Sequence, residues 1–92
     1  MTDTSKPHRR RVRFSLNAGE GRKVYLAGTF NDWSPKRHPM TFKDGSYSAQ
    51  VLLSPGHYEY KFIIDGDWCV DPECLSWTFN QHGTLNSVID VD

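Results

Sequence analysis

Residues 56–72 read "GHYEYKFIIDGDWCVDP". Tyr58, Tyr60, Phe62 and Ile64 fall on alternate positions, the pattern of a strand with one buried face. Asp65-Gly66 is a dipeptide favoured in two-residue hairpin turns, whose central residues take positive φ. Such a turn fixes the register. Ile64 lies opposite Asp67, Ile63 opposite Trp68, and Phe62 opposite Cys69. Directly opposed residues share a face. Phe62 and Cys69 are therefore expected to face the core. Trp68 joins Ile63, Lys61 and Glu59 on the other side, with Lys61 diagonal to it.

The same reading extends outward from this hairpin. "RRRVRFSLN" (9–17) alternates with Val12, Phe14 and Leu16 on one face, and "KVYLAGTF" (23–30) places Val24 and Leu26 together. "MTFK" (40–43) leads through a second Asp-Gly turn, Asp44-Gly45, into "SYSAQVLL" (46–53), where Tyr47, Ala49, Val51 and Leu53 are in register. The prolines of "SPKRHP" (34–39) argue against regular structure there. "CLSWTFNQHGTLN" (74–86) reads as an irregular segment before a last strand, "SVIDV" (87–91). No stretch keeps helical periodicity over three turns. Six to eight short strands punctuated by turn signals predict an all-β, immunoglobulin-like antiparallel β-sandwich. The Cys…Trp…Cys spacing of antibody domains is absent.

Ninety-two residues are enough for one domain with a modest core. Residues 1–8 read as a polar tail and 9–92 as the domain. The 37% hydrophobic fraction is low for a globular chain but too high for a disordered one, and 13% aromatic content partly offsets it. Eleven basic and eleven acidic residues give zero net charge, so nothing calls for nucleic acid or another polyanion. Runs such as "FII" and "VLL" are too short to span a bilayer, and the first residues lack the apolar segment of a signal peptide. A soluble, cytoplasmic protein is the expectation. Cys69 and Cys74 make no disulfide framework and read as free thiols.

The turn "GTFNDWS" (28–34) sets Trp33 among Asn31, Asp32 and Ser34. Turn formers are ordinary there; a tryptophan is not, because its large side chain normally seeks burial. Trp68 alone reads most simply as a ring covering its sheet beneath the Lys61 stem. Two tryptophans outside the core, each beside hydrogen-bonding groups, instead suggest a wet aromatic platform. A pyranose fits such a platform. Its C–H face lies on the ring, and its hydroxyls meet lysine, amide and hydroxyl groups. Two separated rings suit a sugar chain better than a single sugar. Bases also stack on aromatics, but single-strand binders add a basic groove that this chain lacks.

Other chemistries find less support. Asp65, Asp67, Asp71 and Glu73 cluster in sequence, and paired carboxylates can hydrolyse glycosides. Asp65 and Asp71 are accounted for as turn residues, so no catalytic residue is assigned. Cys69, Cys74 and His82 match no standard zinc spacing, and His8, His38 and His57 have no nucleophile partner set. Neither metal nor cofactor is expected. A protein-docking or structural module remains open, since an aromatic face also serves as a protein hot spot. A chain running from Met1 to just past its last strand would be expected to act in trans.

"VYLAGTFNDWS", "GHYEYKFIIDGDWCVDP" and "HGTLNSVI", in that order, resemble the glycogen-binding domain of the AMP-activated protein kinase beta subunit and, more widely, the isoamylase-type early-set domains, family 48 of the carbohydrate-binding modules. The resemblance runs from about Phe14 to Val91. It implies an early-set sandwich that binds alpha-1,4-glucans such as glycogen, starch or maltodextrins, and a glucan-active enzyme or kinase as partner. It also implies that glucose stacks on Trp33 and Trp68, with Lys61, Thr84 and Asn86 in contact. His82 stands where the kinase-subunit pattern has a leucine that enters the curve of the sugar chain. The segment before "GT" is about one residue longer than that pattern and carries Trp77 and Phe79.

Overall fold

The computed structural model describes residues 9–92, so the polar tail expected over residues 1–8 lies outside the described residues. The strands are β1 (Arg10–Leu16), β2 (Val24–Gly28), β3 (His38–Pro39), β4 (Thr41–Lys43), β5 (Ser46–Leu53), β6 (Gly56–Ile64), β7 (Asp67–Cys69), β8 (Trp77–Phe79) and β9 (Leu85–Val91). One sheet has the order β1-β5-β4. The other runs β3-β2-β6-β9-β8, with β7 also paired to β6. Every pairing is antiparallel. The two sheets pack face to face as a sandwich, the fold class the strand pattern predicts.

Alternation drives the packing. Phe14 and Leu16 from β1 and Tyr47, Val51 and Leu53 from β5 meet Val24 and Leu26 from β2 and Tyr60 and Phe62 from β6 in one buried cluster. Phe14 and Tyr60 join the sheets edge to face, ring centroids 4.8 Å apart, an arrangement that adds about 0.5–1.5 kcal/mol beyond area burial. The Tyr60 hydroxyl is not left bare. It donates to Asp71 Oδ2 at 2.7 Å. Burial, reinforced by this bond, pushes its ionisation far above the usual tyrosine range.

The hairpin register matches the expectation residue for residue: Ile64↔Asp67, Ile63↔Trp68 and Phe62↔Cys69. Asp65 and Gly66 both take positive φ, 50° and 89°. Asp65 Oδ1 also accepts the Lys23 amide at 2.9 Å. Its carboxylate is held below the usual range, first by that backbone bond and then by Arg22. Tyr47 pins the same loop from the other sheet: its hydroxyl accepts from Arg22 N and donates to Gly19 O. Cys69 and Cys74 are free thiols.

Three local expectations are corrected. The proline-bearing stretch contains β3, which pairs His38 and Pro39 with Leu26 and Tyr25; as an edge strand it tolerates a residue without an amide donor. The segment read as irregular contains β8, paired through Trp77↔Ser87, Thr78↔Asn86 and Phe79↔Leu85. Ile63 points away from the core as expected, yet is buried. It sits in one rung between Tyr25 and Trp68, whose side chains share its face.

Gly28 closes β2 where the chain passes close to β6. A Cβ there would stand 2.6 Å from the Glu59 carbonyl oxygen and 2.7 Å from the Phe30 ring. Backbone cannot give way as a side-chain tip can. Gly28→Ala is expected to destabilise the fold by about 1–3 kcal/mol, the range for overpacking. Urea unfolding followed by tryptophan fluorescence should show a lower midpoint at unchanged slope.

Candidate functional site

β6 carries Glu59 and Lys61 on the face opposite Tyr60 and Phe62. The Asp65-Gly66 turn returns the chain so that Trp68 joins that face. Trp33 arrives from a different element, the turn after β2. A 3-10 turn at Thr29–Asn31 ends with Asp32 and Trp33 both in the left-handed region, at φ 56° and 58°. That conformation is unfavourable for a bulky residue and persists only where the surroundings enforce it.

Asn31 supplies the enforcement. It is 3% exposed. Its Oδ1 accepts the Gly28 amide at 3.0 Å, while Nδ2 donates to Leu26 O at 3.0 Å and meets His38 Nδ1 at 2.8 Å. The Trp33 amide donates to Gly28 O at 2.8 Å and the Ser34 amide to Asn31 O at 3.1 Å. The turn is thus fastened to the end of β2 rather than left as a loop.

Trp33 and Trp68 lie beside each other, ring centroids 6.5 Å apart and planes inclined at 46°. They are not separated rings, as the sequence suggested, but adjoining halves of one surface. Trp33 is half-buried and Trp68 is 46% exposed. Lys61 Nζ donates to Thr84 Oγ1 at 3.0 Å, and Asn86 Nδ2 donates to Glu59 Oε1 at 2.9 Å. Trp33, Lys61, Trp68, His82, Thr84 and Asn86 all line a single open cleft of about 640 Å³. Every site residue singled out from the sequence is therefore brought to one place.

The same cleft is lined by residues the sequence reading did not assign to the site: Glu59, Phe79, Asn80 and Gln81. Asn80 organises the loop that follows β8. Its Oδ1 accepts the amides of His82 and Thr84 at 2.9 and 3.1 Å, and its Nδ2 donates to Thr84 Oγ1 and Asn86 Oδ1 at 2.6 and 3.0 Å. The signal was present in "NQHG", an asparagine ahead of a glycine, which is an Asx-turn pattern. Gly83 takes φ 80° there.

Chemically, the cleft offers an apolar aromatic floor with ammonium, hydroxyl and amide groups around it. That composition suits a ligand with one apolar face and a rim of hydroxyls. Glu59 is the one carboxylate among the lining residues, so paired-carboxylate hydrolysis has no second group in the cleft. Asp71 is occupied by Tyr60 and by the Glu73 amide. Among the described residues, no three His, Cys, Asp or Glu side chains gather as a metal site. Nor is any described helix long and apolar enough to cross a membrane.

Residues 11–92 match the family described as the glycogen recognition site of AMP-activated protein kinase. The chain is 41% identical over 73 residues to 5'-AMP-activated protein kinase subunit beta-1 of Homo sapiens, covering 79% of this chain and 26% of that protein. It is equally similar to the Sus scrofa beta-1 sequence, of which it covers 57%. It is 38% identical over 71 residues to the Mus musculus beta-2 subunit, covering 77% of this chain and 26% of the relative. The chain therefore spans only part of these relatives, 57% of the Sus scrofa sequence and 26% of the other two.

The turn beneath Trp33 carries its own pH dependence. Burial and then Arg37 lower the ionisation of His38 from its ordinary value. Asn31 Nδ2, a donor, requires His38 Nδ1 as acceptor, which only the neutral ring offers. The stabilisation is thus fully present above the unfolded-state value and is lost as pH falls below it, through the depressed native value. Urea midpoints between pH 7.5 and 5 should fall with a component that His38→Gln, which keeps an acceptor but does not titrate, removes.

Proposed function

The chain belongs to the glycogen recognition family of AMP-activated protein kinase, and on that basis we propose that its cleft binds alpha-1,4-glucans by stacking glucose on Trp33 and Trp68. The family is a non-catalytic recognition module. The observation that carries the stacking is the adjoining pair of rings, 6.5 Å apart, on the wet side of a sheet whose other side is the core. Lys61, Thr84 and Asn86 supply donors and acceptors for the sugar hydroxyls, and the Asn80 loop and Glu59 hold them. The relatives are named as kinase subunits, and we extend that class of partner, a kinase complex brought to glucan, to this chain.

An open cleft with a few hydrogen bonds implies modest affinity. Micromolar to millimolar dissociation constants, roughly 4 to 8 kcal/mol, are expected. Calorimetry with maltoheptaose and beta-cyclodextrin tests this. Trp33→Ala and Trp68→Ala should each remove on the order of 1–3 kcal/mol, by analogy with base stacking on aromatics. That loss is a weakening of roughly 5- to 150-fold, while thermal melts stay near wild type. Retained affinity in either variant removes that ring from the reading.

His82 lines the cleft with a polar ring on an exposed loop. The inner curve of a helical glucan is lined by C–H groups, and a leucine there gains apolar contact that an imidazole does not. His82→Leu should therefore strengthen beta-cyclodextrin binding by about 1 kcal/mol, with a smaller gain for linear maltoheptaose. An unchanged cyclodextrin affinity would take His82 out of the contact surface.

A further inference from the structure

We infer that the edge strand β8 carries a second aromatic subsite, Phe79 followed by Trp77, which continues the glucan path off the Trp33–Trp68 platform and over the edge of the sheet. This rests on the proposed glucan binding and adds to it a surface for longer chains.

The first observation is exposure. Leu75, Trp77 and Phe79 are 92%, 52% and 76% exposed. Single exposed apolar residues are normal, but three large ones within five positions form a patch that calls for a ligand. The second is direction. Thr78 pairs with Asn86 and shares the cleft face, while Trp77 and Phe79 pair with Ser87 and Leu85 and share the opposite one. Toward the middle of the sheet that opposite face is the sandwich interior. The facing sheet has the order β1-β5-β4, and no residue of β8 takes part in the core cluster. The rings thus lie beyond the cover of the other sheet.

The third observation is continuity. Phe79 lines the cleft together with Trp33 and Trp68, although it alternates to the other side of β8 from Thr78. It therefore occupies the rim, where the cleft face turns over the end of the strand. Trp77 follows two residues back, roughly 7 Å along the strand. The fourth is charge. Residues 75–82, "LSWTFNQH", contain no Asp, Glu, Lys or Arg. Edge strands are commonly guarded by charge against pairing with another protein. This one instead alternates rings with hydroxyls and amides. Those groups suit a neutral polyol laid along the edge, each ring taking a C–H face and Ser76, Thr78 and Gln81 taking hydroxyls.

The test uses the chain with maltotriose, maltoheptaose and a longer linear maltodextrin, and compares wild type with Phe79→Thr, Trp77→Thr and Trp68→Ala. Threonine keeps the strand propensity of β8, and thermal melts check the fold. Trp77→Thr should leave the maltotriose dissociation constant unchanged and weaken the longest chain about five- to tenfold, the scale of one stacked ring, and Phe79→Thr, at the rim of the cleft, should weaken the longest chain more than it weakens maltotriose. In wild type, the indole N–H resonances of Trp33 and Trp68 should move with maltotriose, and that of Trp77 only with the longer chains. For Trp77→Thr, equal loss at every length or no loss at any length, or a Trp77 resonance unmoved by every chain, would overturn the subsite while Trp68-dependent binding stands. Self-association of wild type that Trp77→Thr abolishes, with sugar affinity intact, would make the patch a protein interface and overturn it too. A wild type that binds no glucan would overturn both the subsite and the reading beneath it, which the Trp33 and Trp68 resonances would register directly.

Discussion

The Asp65-Gly66 turn decides which way each residue of β6 faces. Its two positive φ values allow a two-residue connection, and the side-chain period of two does the rest. A slip of one residue would carry Lys61 and Trp68 into the core and Tyr60 and Phe62 into water. Asp65 reaches further than its own hairpin. It accepts the Lys23 amide and pairs with Arg22, and its own amide donates to Lys23 O. One residue therefore sets both the return of β7 and the entry of β2 beside β6. The clasp is electrostatic on an exposed edge, but the register it selects is held by the buried cluster behind it.

That register separates two tasks along one strand. Tyr58, Tyr60 and Phe62 pack toward the opposite sheet; Glu59 and Lys61 line the cleft. Ile63 is the exception, on the cleft face by register yet buried in the rung between Tyr25 and Trp68. Fold and cleft are thus alternate readings of the same nine residues, and both were legible where that alternation is regular. The hairpin register, the free cysteines and the shared face of Lys61 and Trp68 all follow from pattern and turn chemistry. Thr84, Asn86 and His82 did not. They come from a loop and a distant strand, and only resemblance to a family brought them into view before the fold did.

What the pattern hid has a common cause. β8 was missed because its apolar residues face solvent and its threonine faces the cleft, so the alternation carries no sign of burial. β3 was missed because proline usually signals the end of pairing, and an edge position removes that objection. Asn31 and Asn80 were invisible for a different reason. Each is a short polar side chain whose importance lies in several simultaneous partners, and partners far apart in sequence leave no local trace. Asn31 in particular looks like any turn residue in "FNDWS", yet it is buried and satisfied at both ends of its amide.

The left-handed Trp33 has a consequence for how fast the surface can work. Its amide is held by the Gly28 carbonyl and that of the next residue, Ser34, by the Asn31 carbonyl, and its ring already rests against Trp68. Little rotational freedom is left to freeze when a ligand arrives, so the entropic penalty of ordering side chains is largely met during folding. On the proposed glucan binding, a preorganised, open surface docks without a conformational step, so the weak affinity expected there comes from rapid departure rather than slow arrival. Under that reading, on a polymer that presents many equivalent chains, a protein released from one meets another close by, and contacts re-form in quick succession.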